Sequence, residues 1–225
     1  MPIVNLSDYD RMGRSWLGLG SLKSPCWFVG MEPGGDSSID GAWATRWATT
    51  FSSAPTVDLH ASATEAERPY LDHSNRLHAT WSPLIRCRLA YAGVATDDQA
   101  VLAYQRDQFA KADGYEALLE LSAYSAKSLS EPSHRKKYLA SRVEALGKAI
   151  DDHGPEVVIF YGRTYAGYHE EIAGGSFDAD GFRQRDGVWC ALTLHPYQRF
   201  GKSPLPEHWV GLGSELRRRV HDRFQ

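Results

Sequence analysis

Val157-Val158-Ile159-Phe160-Tyr161-Gly162 is continuously apolar and β-branched up to its closing glycine, the composition of a strand buried on both faces between layers of helix. On its amino-terminal side, the stretch from Pro132 to Ile150 carries Leu139, Val143, Leu146 and Ile150 at three- and four-residue steps, which describes one buried face of an amphipathic helix. On its carboxyl side a short helix through Tyr168 is expected, followed by a polar turn region from Gly174 to Gly187. Val188-Trp189-Cys190-Ala191-Leu192-Thr193-Leu194 then reads as another strand, ending at His195-Pro196. A last helix begins near Pro206 and buries Leu212, Leu216, Val220 and Phe224, each four apart.

Nearer the amino terminus, Cys26-Trp27-Phe28-Val29, bounded by Pro25 and Gly30, and Ala117-Leu118-Leu119-Glu120-Leu121 supply two further strands. Residues 35–66, rich in Ser, Thr, Ala and Gly, read as a long irregular loop, a kind of segment that is usually functional or disordered. Leu71 to Tyr91 reads as mainly helical. Thr96 opens a second helix, with Gln99 three residues on at the spacing of a capping box, and Asp113-Gly114 marks its end. Strands alternating with helices in this order predict an α/β fold: a three-layer α/β/α sandwich around a central, mostly parallel sheet of about four strands. With 225 residues and 42% apolar content, the chain is expected to form a single domain over residues 1–225.

Composition narrows the function classes. A net charge of −3 provides no global basic field of the kind that marks a strong non-specific nucleic-acid binder, so any DNA contact must be local. Cys26, Cys87 and Cys190 lack CxxC or Cys/His ligand spacing and are expected to be reduced, buried thiols in a cytoplasmic protein. No apolar run is long enough for a membrane span, and the amino terminus lacks a basic-then-apolar signal pattern. Neither a metal nor a cofactor is expected: the chain has no Walker loop, nucleophile elbow, dinucleotide fingerprint or zinc deaminase signature.

Two strand ends carry conspicuous turns. The first strand runs into Gly30-Met31-Glu32-Pro33-Gly34-Gly35-Asp36, and the last into His195-Pro196. Parallel strands bring both to one sheet edge, where open α/β sheets bind ligands. Glu32 there is either part of an ordinary surface turn or a general base, and His195 is either structural or a donor to a developing anion. Other polar turns allow two readings each. His134-Arg135-Lys136-Lys137 is a solvated helix start or a phosphate site, and Gly162-Arg163-Thr164 is a plain strand–helix turn or a phosphate-binding one.

Phe28-Val29-Gly30-Met31-Glu32-Pro33-Gly34 resembles the water-activating motif of the uracil-DNA glycosylase superfamily, a strand followed by Gly-x-(Asp/Asn)-Pro, and Leu194-His195-Pro196 resembles its second motif. The resemblance implies that Glu32 positions water against the sugar C1′ and that His195 hydrogen-bonds and stabilises the departing base. It assigns Met31 and Gly34 to the base pocket, Gly34 as in branches with wider pockets, and takes the stacking aromatic from Trp43, Trp47 or Phe51. Ser122 and Tyr124 stand in the loop after the second strand, where active branches commonly place an asparagine that reads uracil. After His-Pro the family usually continues with Ser, whereas this chain has Tyr197-Gln198. Tyr197, Arg199 and Phe200 are expected to form the wedge and phosphate-contact loop, with Lys202 beside them. Three cysteines exclude the iron–sulfur branch.

Three functions follow as expectations. The first is a metal-independent hydrolase of the N-glycosidic bond of uracil or another damaged base in DNA. The second is a non-catalytic module on the same fold that binds a nucleobase, nucleotide or nucleic-acid end. The third is a hydrolase of a small nucleoside-like substrate with weak DNA affinity.

Overall fold

The computed structural model describes residues 6–31, 40–72, 75–125, 137–197 and 203–222. In chain order the elements are α1 (Leu6–Ser15), β1 (Gly18–Gly20), β2 (Cys26–Gly30), α2 (Asp40–Thr50), β3 (Thr56–Val57), α3 (Leu59–Ser62), α4 (Arg68–Leu71), α5 (Trp81–Ala92) and α6 (Asp98–Asp107). They continue with β4 (Glu116–Glu120), α7 (Leu139–His153), β5 (Val157–Tyr161), a 3₁₀ turn (Arg163–Tyr165), α8 (Ala166–Ile172), β6 (Phe182–Arg185), β7 (Val188–Thr193) and α9 (Pro206–His221).

The fold is α/β, with a mixed seven-stranded sheet in the order β3-β1-β4-β2-β5-β7-β6. Strands β4, β2, β5 and β7 are mutually parallel and central. These are the strands legible in the sequence, and every residue of β2, β4 and β5 is buried. The expected count of about four is corrected by three short strands at the flanks. β1 runs antiparallel to β4 and parallel to β3, and β6 pairs antiparallel with β7 inside the stretch read as a polar turn region. β6 has the sequence Phe-Arg-Gln-Arg, with only its phenylalanine buried, so it carries no continuous apolar run.

Alternation along the strands divides the interior. Phe28, Leu118, Ile159 and Ala191 point to one face and pack with Leu84 and Ile85 of α5, Val101 of α6 and Trp209 and Leu216 of α9. Trp27, Leu119, Val158 and Cys190 point to the other and meet Leu139, Val143, Leu146 and Ile150 of α7 with Ile172 of α8. Helices therefore cover both faces, which is why β5 is apolar throughout. Helices α5 and α9 cross closely at Gly213, where a Cβ would lie 2.1 Å from the Cys87 carbonyl oxygen.

A third apolar cluster joins α1 to α2 through Met12, Trp16, Ala44 and Trp47 and takes in Tyr124 and Tyr138. The long loop expected over residues 35–66 is thus corrected: its described part contains α2, β3 and α3. The cap of α6 is one residue later than the Thr96 reading, because Asp97 accepts the amides of Gln99 and Ala100 at 3.0 Å each. In α9 the stripe is Trp209, Gly213, Leu216 and Val220, with Leu212 partly buried; Phe224 lies outside the described residues. No helix among the described residues is long and apolar enough to cross a membrane.

Polar groups lock the two ends of β4. At its start Glu116, fully buried, accepts Tyr104 Oη at 2.5 Å and the Ala110 amide at 2.7 Å, with Arg88 Nε 3.7 Å away. At its end Arg142, 1% exposed, donates Nε to Leu121 O at 2.8 Å and Nη1 to Trp16 O at 2.6 Å and Gly13 O at 3.3 Å, while Nη2 donates to Glu120 O. Arg142→Met should leave these carbonyls without a buried donor and lower the unfolding free energy by about 3 kcal/mol or more, read by urea denaturation.

Two histidines make stability depend on acid. His78 Nδ1 accepts the amides of Thr80 and Trp81 at the start of α5, at 3.3 and 3.2 Å, and its ring stacks on Trp81. His169 is fully buried against Phe160, with no hydrogen-bond partner for either ring nitrogen among the described residues. Burial pushes both from the usual 6.5 down to about 4. The unfolded chain therefore binds more protons between these values, so the histidine contribution is constant above pH 6.5 and falls as pH drops toward 4. The loss reaches up to about 3 kcal/mol for each histidine. His169→Phe should flatten part of this slope in denaturation curves recorded across that window.

Candidate functional site

The carboxyl ends of β4, β2, β5 and β7 lie along one edge. There the register sets Glu120 opposite Gly30, and Tyr161 opposite Thr193, with Tyr161 one step beyond the Phe160–Val29 pair. By alternation all four residues belong to the face covered by α5 and α9. Glu120, Gly30, Tyr161 and Thr193 thus form one row across the sheet. Gly30 is the gap in it, and both large neighbours lean over that gap. Tyr161 Oη donates to Glu120 Oε1 at 3.4 Å, and a Cβ on Gly30 would lie 2.3 Å from Tyr161 Oη and 2.6 Å from Glu120 Oε2.

His195 closes the row. Strand β5 ends at Gly162, whose φ of +96° turns the chain sharply, and His195 Cδ2 would be 3.9 Å from a Cβ there. The His195 ring sits edge-on to Tyr161 with centroids 5.6 Å apart. Its Nδ1 lies against both backbone groups of Tyr197. With the proton on Nε2 it accepts the Tyr197 amide at 3.1 Å; with the proton on Nδ1 it donates to the Tyr197 carbonyl. Burial lowers the pKa of His195, opposed by the Tyr197 backbone contact, and so favours the neutral ring. Beside it Thr193 Oγ1 and His208 Nε2 are 2.7 Å apart.

The residues singled out by sequence fall into three groups. Glu32, Gly34, Arg199, Phe200 and Lys202 lie outside the described residues. His195 and Tyr197 stand at the edge, Tyr197 with 49% of its surface exposed. The others are held in packing contacts. Met31 belongs to the apolar cluster on the α7 face. Ser122 Oγ accepts the Tyr124 amide at 3.1 Å, and Tyr124 Oη donates to Tyr9 O at 3.0 Å while its ring stacks on Tyr9 at 4.4 Å. Trp47 has no exposed surface and donates Nε1 to Ala54 O at 2.7 Å. Trp43 and Phe51 pack side by side, with the Arg46 guanidinium over both rings.

Sequence reasoning missed Glu120 and Tyr161. The signal was present: each interrupts an apolar strand with a polar group at the last position before the turn. Among the described residues no group of three or more His, Cys, Asp or Glu side chains is arranged to hold a metal. A shallow groove of about 350 Å³ on the α7 face is bounded by Val143, Gly147, Asp151 and Arg185 among others, and there Arg185 is already paired to both oxygens of Asp151. The edge of the parallel strands is the richer constellation: a carboxylate, a phenol and a hydroxyl in one row, with His195 past its end and His208 of α9 against the hydroxyl.

Neither the protein-family models nor the curated proteins give a match to this chain.

Gly30→Ala tests the row directly. The added methyl must displace Tyr161 and Glu120 from each other, at a cost of about 1–3 kcal/mol of stability in chemical denaturation. A variant as stable as wild type would show that the two side chains do not meet over Gly30.

Proposed function

We propose that the chain is a uracil-DNA glycosylase-like hydrolase of the N-glycosidic bond of uracil or another damaged base in DNA, divergent within that superfamily. The observation that carries the reading is that β2, which leads directly into Met31-Glu32, and β7, which leads into His195, end on one edge of the parallel strands with β5 between them. Two strand spacings separate them, about 10 Å, room for one flat base. Helices on both faces and the alternation of central strands with helices agree with a three-layer α/β/α fold of that type.

In this reading Glu32 positions a water against C1′ as the glycosidic bond breaks, and the base leaves as an anion. His195 donates to the base oxygen in the tautomer that carries its proton on Nε2, where Nδ1 accepts the Tyr197 amide, and burial favours the neutral ring. A neutral imidazole suits this task because it stabilises charge on the leaving base without having to be protonated first. Tyr197, with the Arg199-Phe200 segment and Lys202, supplies a stacking contact and a small basic rim to an otherwise acidic protein.

The second reading, a nucleobase-binding module without catalysis, is favoured by Ser122-Ala123-Tyr124-Ser125 standing where active branches place an asparagine and by the acidic net charge. Ser122, Tyr124 and Trp47, offered by the resemblance as base contacts, are engaged in turn and core contacts.

A panel of labelled single- and double-stranded oligonucleotides carrying uracil, hypoxanthine, xanthine or a mismatch, assayed for abasic sites, separates the two. Glu32→Gln should lower single-turnover cleavage by on the order of 10²-fold or more with oligonucleotide binding nearly intact, and His195→Ala should lower it comparably. Selective binding without any abasic product would favour the module.

A further inference from the structure

The groove of about 350 Å³ lies away from the sheet edge, where α7, the end of α8 and the end of β6 meet. Val143, 3% exposed, and Gly147 form its apolar floor, one turn apart on α7. Arg185 from β6 closes one end. Its Nη1 donates to Ile172 O, and its Nη2 lies 2.7 and 2.8 Å from the two oxygens of Asp151. Lys148 is engaged as well, with Asp152 one turn further along α7. That leaves Glu144 of α7 and Glu171 of α8, both exposed and both lining the groove, whose side chains make no hydrogen bond or ion pair with any described residue. Lys148 stands four residues after Glu144, the spacing at which such pairs form on a helix, yet it is bonded to Asp152 instead.

Gly147 is an independent sign that the groove is built. Inside a 15-residue helix a glycine is less stable than an alanine, because it gives up more backbone freedom on folding. Packing does not require it here. Outside its own helix, the nearest atoms to a Cβ at this position are the Arg185 nitrogens, at 3.5 and 4.0 Å, which is ordinary van der Waals contact. At Gly213, by contrast, a Cβ would lie 2.1 Å from a carbonyl oxygen. The missing methyl at Gly147 therefore keeps the floor of the groove open rather than letting two elements approach.

We propose that this groove binds a linear aliphatic diamine, a chain of methylenes with an ammonium at each end. The assignment is independent of the sheet edge and of the chemistry proposed there. Two carboxylates without cationic partners match two positive charges, and each ammonium offers three donors to groups that only accept. The methylenes between them cover Val143 and the bare backbone of Gly147, as the stem of a lysine covers apolar surface while its head stays wet. A monoamine leaves one carboxylate unmatched. A divalent metal ion matches the charge but leaves the floor uncovered, and no group of three His, Cys, Asp or Glu among the described residues is arranged to hold one. An anion meets Glu144 and Glu171 with both cations of the groove already engaged.

The experiment follows the backbone amide resonances of the isotope-labelled full chain at pH 7 and low salt as 1,4-diaminobutane is added, with n-butylamine and magnesium chloride as separate titrations. Diaminobutane should give saturable shifts over residues 143–151 and around Glu171 and Arg185, and bind at least about tenfold more tightly than butylamine. Magnesium at equal ionic strength should give no saturable shift there. Glu144→Gln combined with Glu171→Gln should weaken diaminobutane at least about tenfold and leave the thermal midpoint of the free protein little changed. Gly147→Ala should do two things at once: raise that midpoint by a few degrees and weaken diaminobutane by at least about tenfold. No saturable shift, equal affinity for butylamine, or an equal response to magnesium overturns the assignment. So does a Gly147→Ala protein less stable than wild type, which would show that packing needs the glycine. Should the double variant fail to fold, the wild-type comparison of diaminobutane with butylamine decides by itself. Abasic-site assays report on the sheet edge alone, so failure of the hydrolase reading and failure of this one are told apart.

Discussion

The guanidinium of Arg142 is buried among backbone carbonyls from two parts of the chain: Gly13 and Trp16 around the end of α1, and Glu120 and Leu121 where β4 finishes. Its cost is visible in the lowered pKa, yet at about 10 the group remains charged at neutral pH. A lysine would not serve, because one ammonium cannot spread donors over carbonyls lying in different directions. Through this contact α7 holds together the amino-terminal helix, the strand that ends in Glu120 and the turn that follows. Everything placed at the carboxyl edge of β4 inherits its position from that contact.

The neighbouring constraint is the absence of a side chain at Gly30. In a sheet covered by helices on both faces, a strand's last inward position is ordinarily filled by an apolar residue. Here it is empty, and a phenol from β5 and a carboxylate from β4 lean over it. Any larger residue would push them apart. The sheet edge thus gains a polar pair packed directly over the Gly30 backbone. Glycine reads in the sequence as a strand terminator, which is true, but its second consequence depends on which strands flank it.

That dependence explains what was legible and what was not. Strands β2, β4, β5 and β7 announce themselves because each is buried on both faces, so no alternation dilutes the apolar run. β1 is Gly-Leu-Gly and β3 is two residues long, and neither has a pattern to read. α2 was hidden for a related reason: its Ala, Gly and Thr residues give a faint stripe, although Ala44 and Trp47 are its buried anchors. Arg142 stands one residue before Val143 on the helix face that also carries Leu139 and Leu146, and a charge within an apolar stripe is the mark of a buried tether. His195 is legible from its strand end alone. Glu120 reads as part of a strand, because its place opposite Gly30 depends on the sheet order, which sets β4 beside β2, and a single sequence does not contain that order.

The same sheet order bears on how the edge divides its labour. From β4 to β7 the groups run carboxylate, bare backbone, phenol, hydroxyl, with an imidazole beyond the last strand. The carboxylate and the imidazole therefore belong to strands three spacings apart, about 14 Å, and the phenol between them contacts both. Two carboxylates set along this edge would repel one another, whereas a carboxylate and an imidazole bridged by a phenol sit together without that cost. The register of the four parallel strands fixes the order of these groups, so no side-chain rotation exchanges their places.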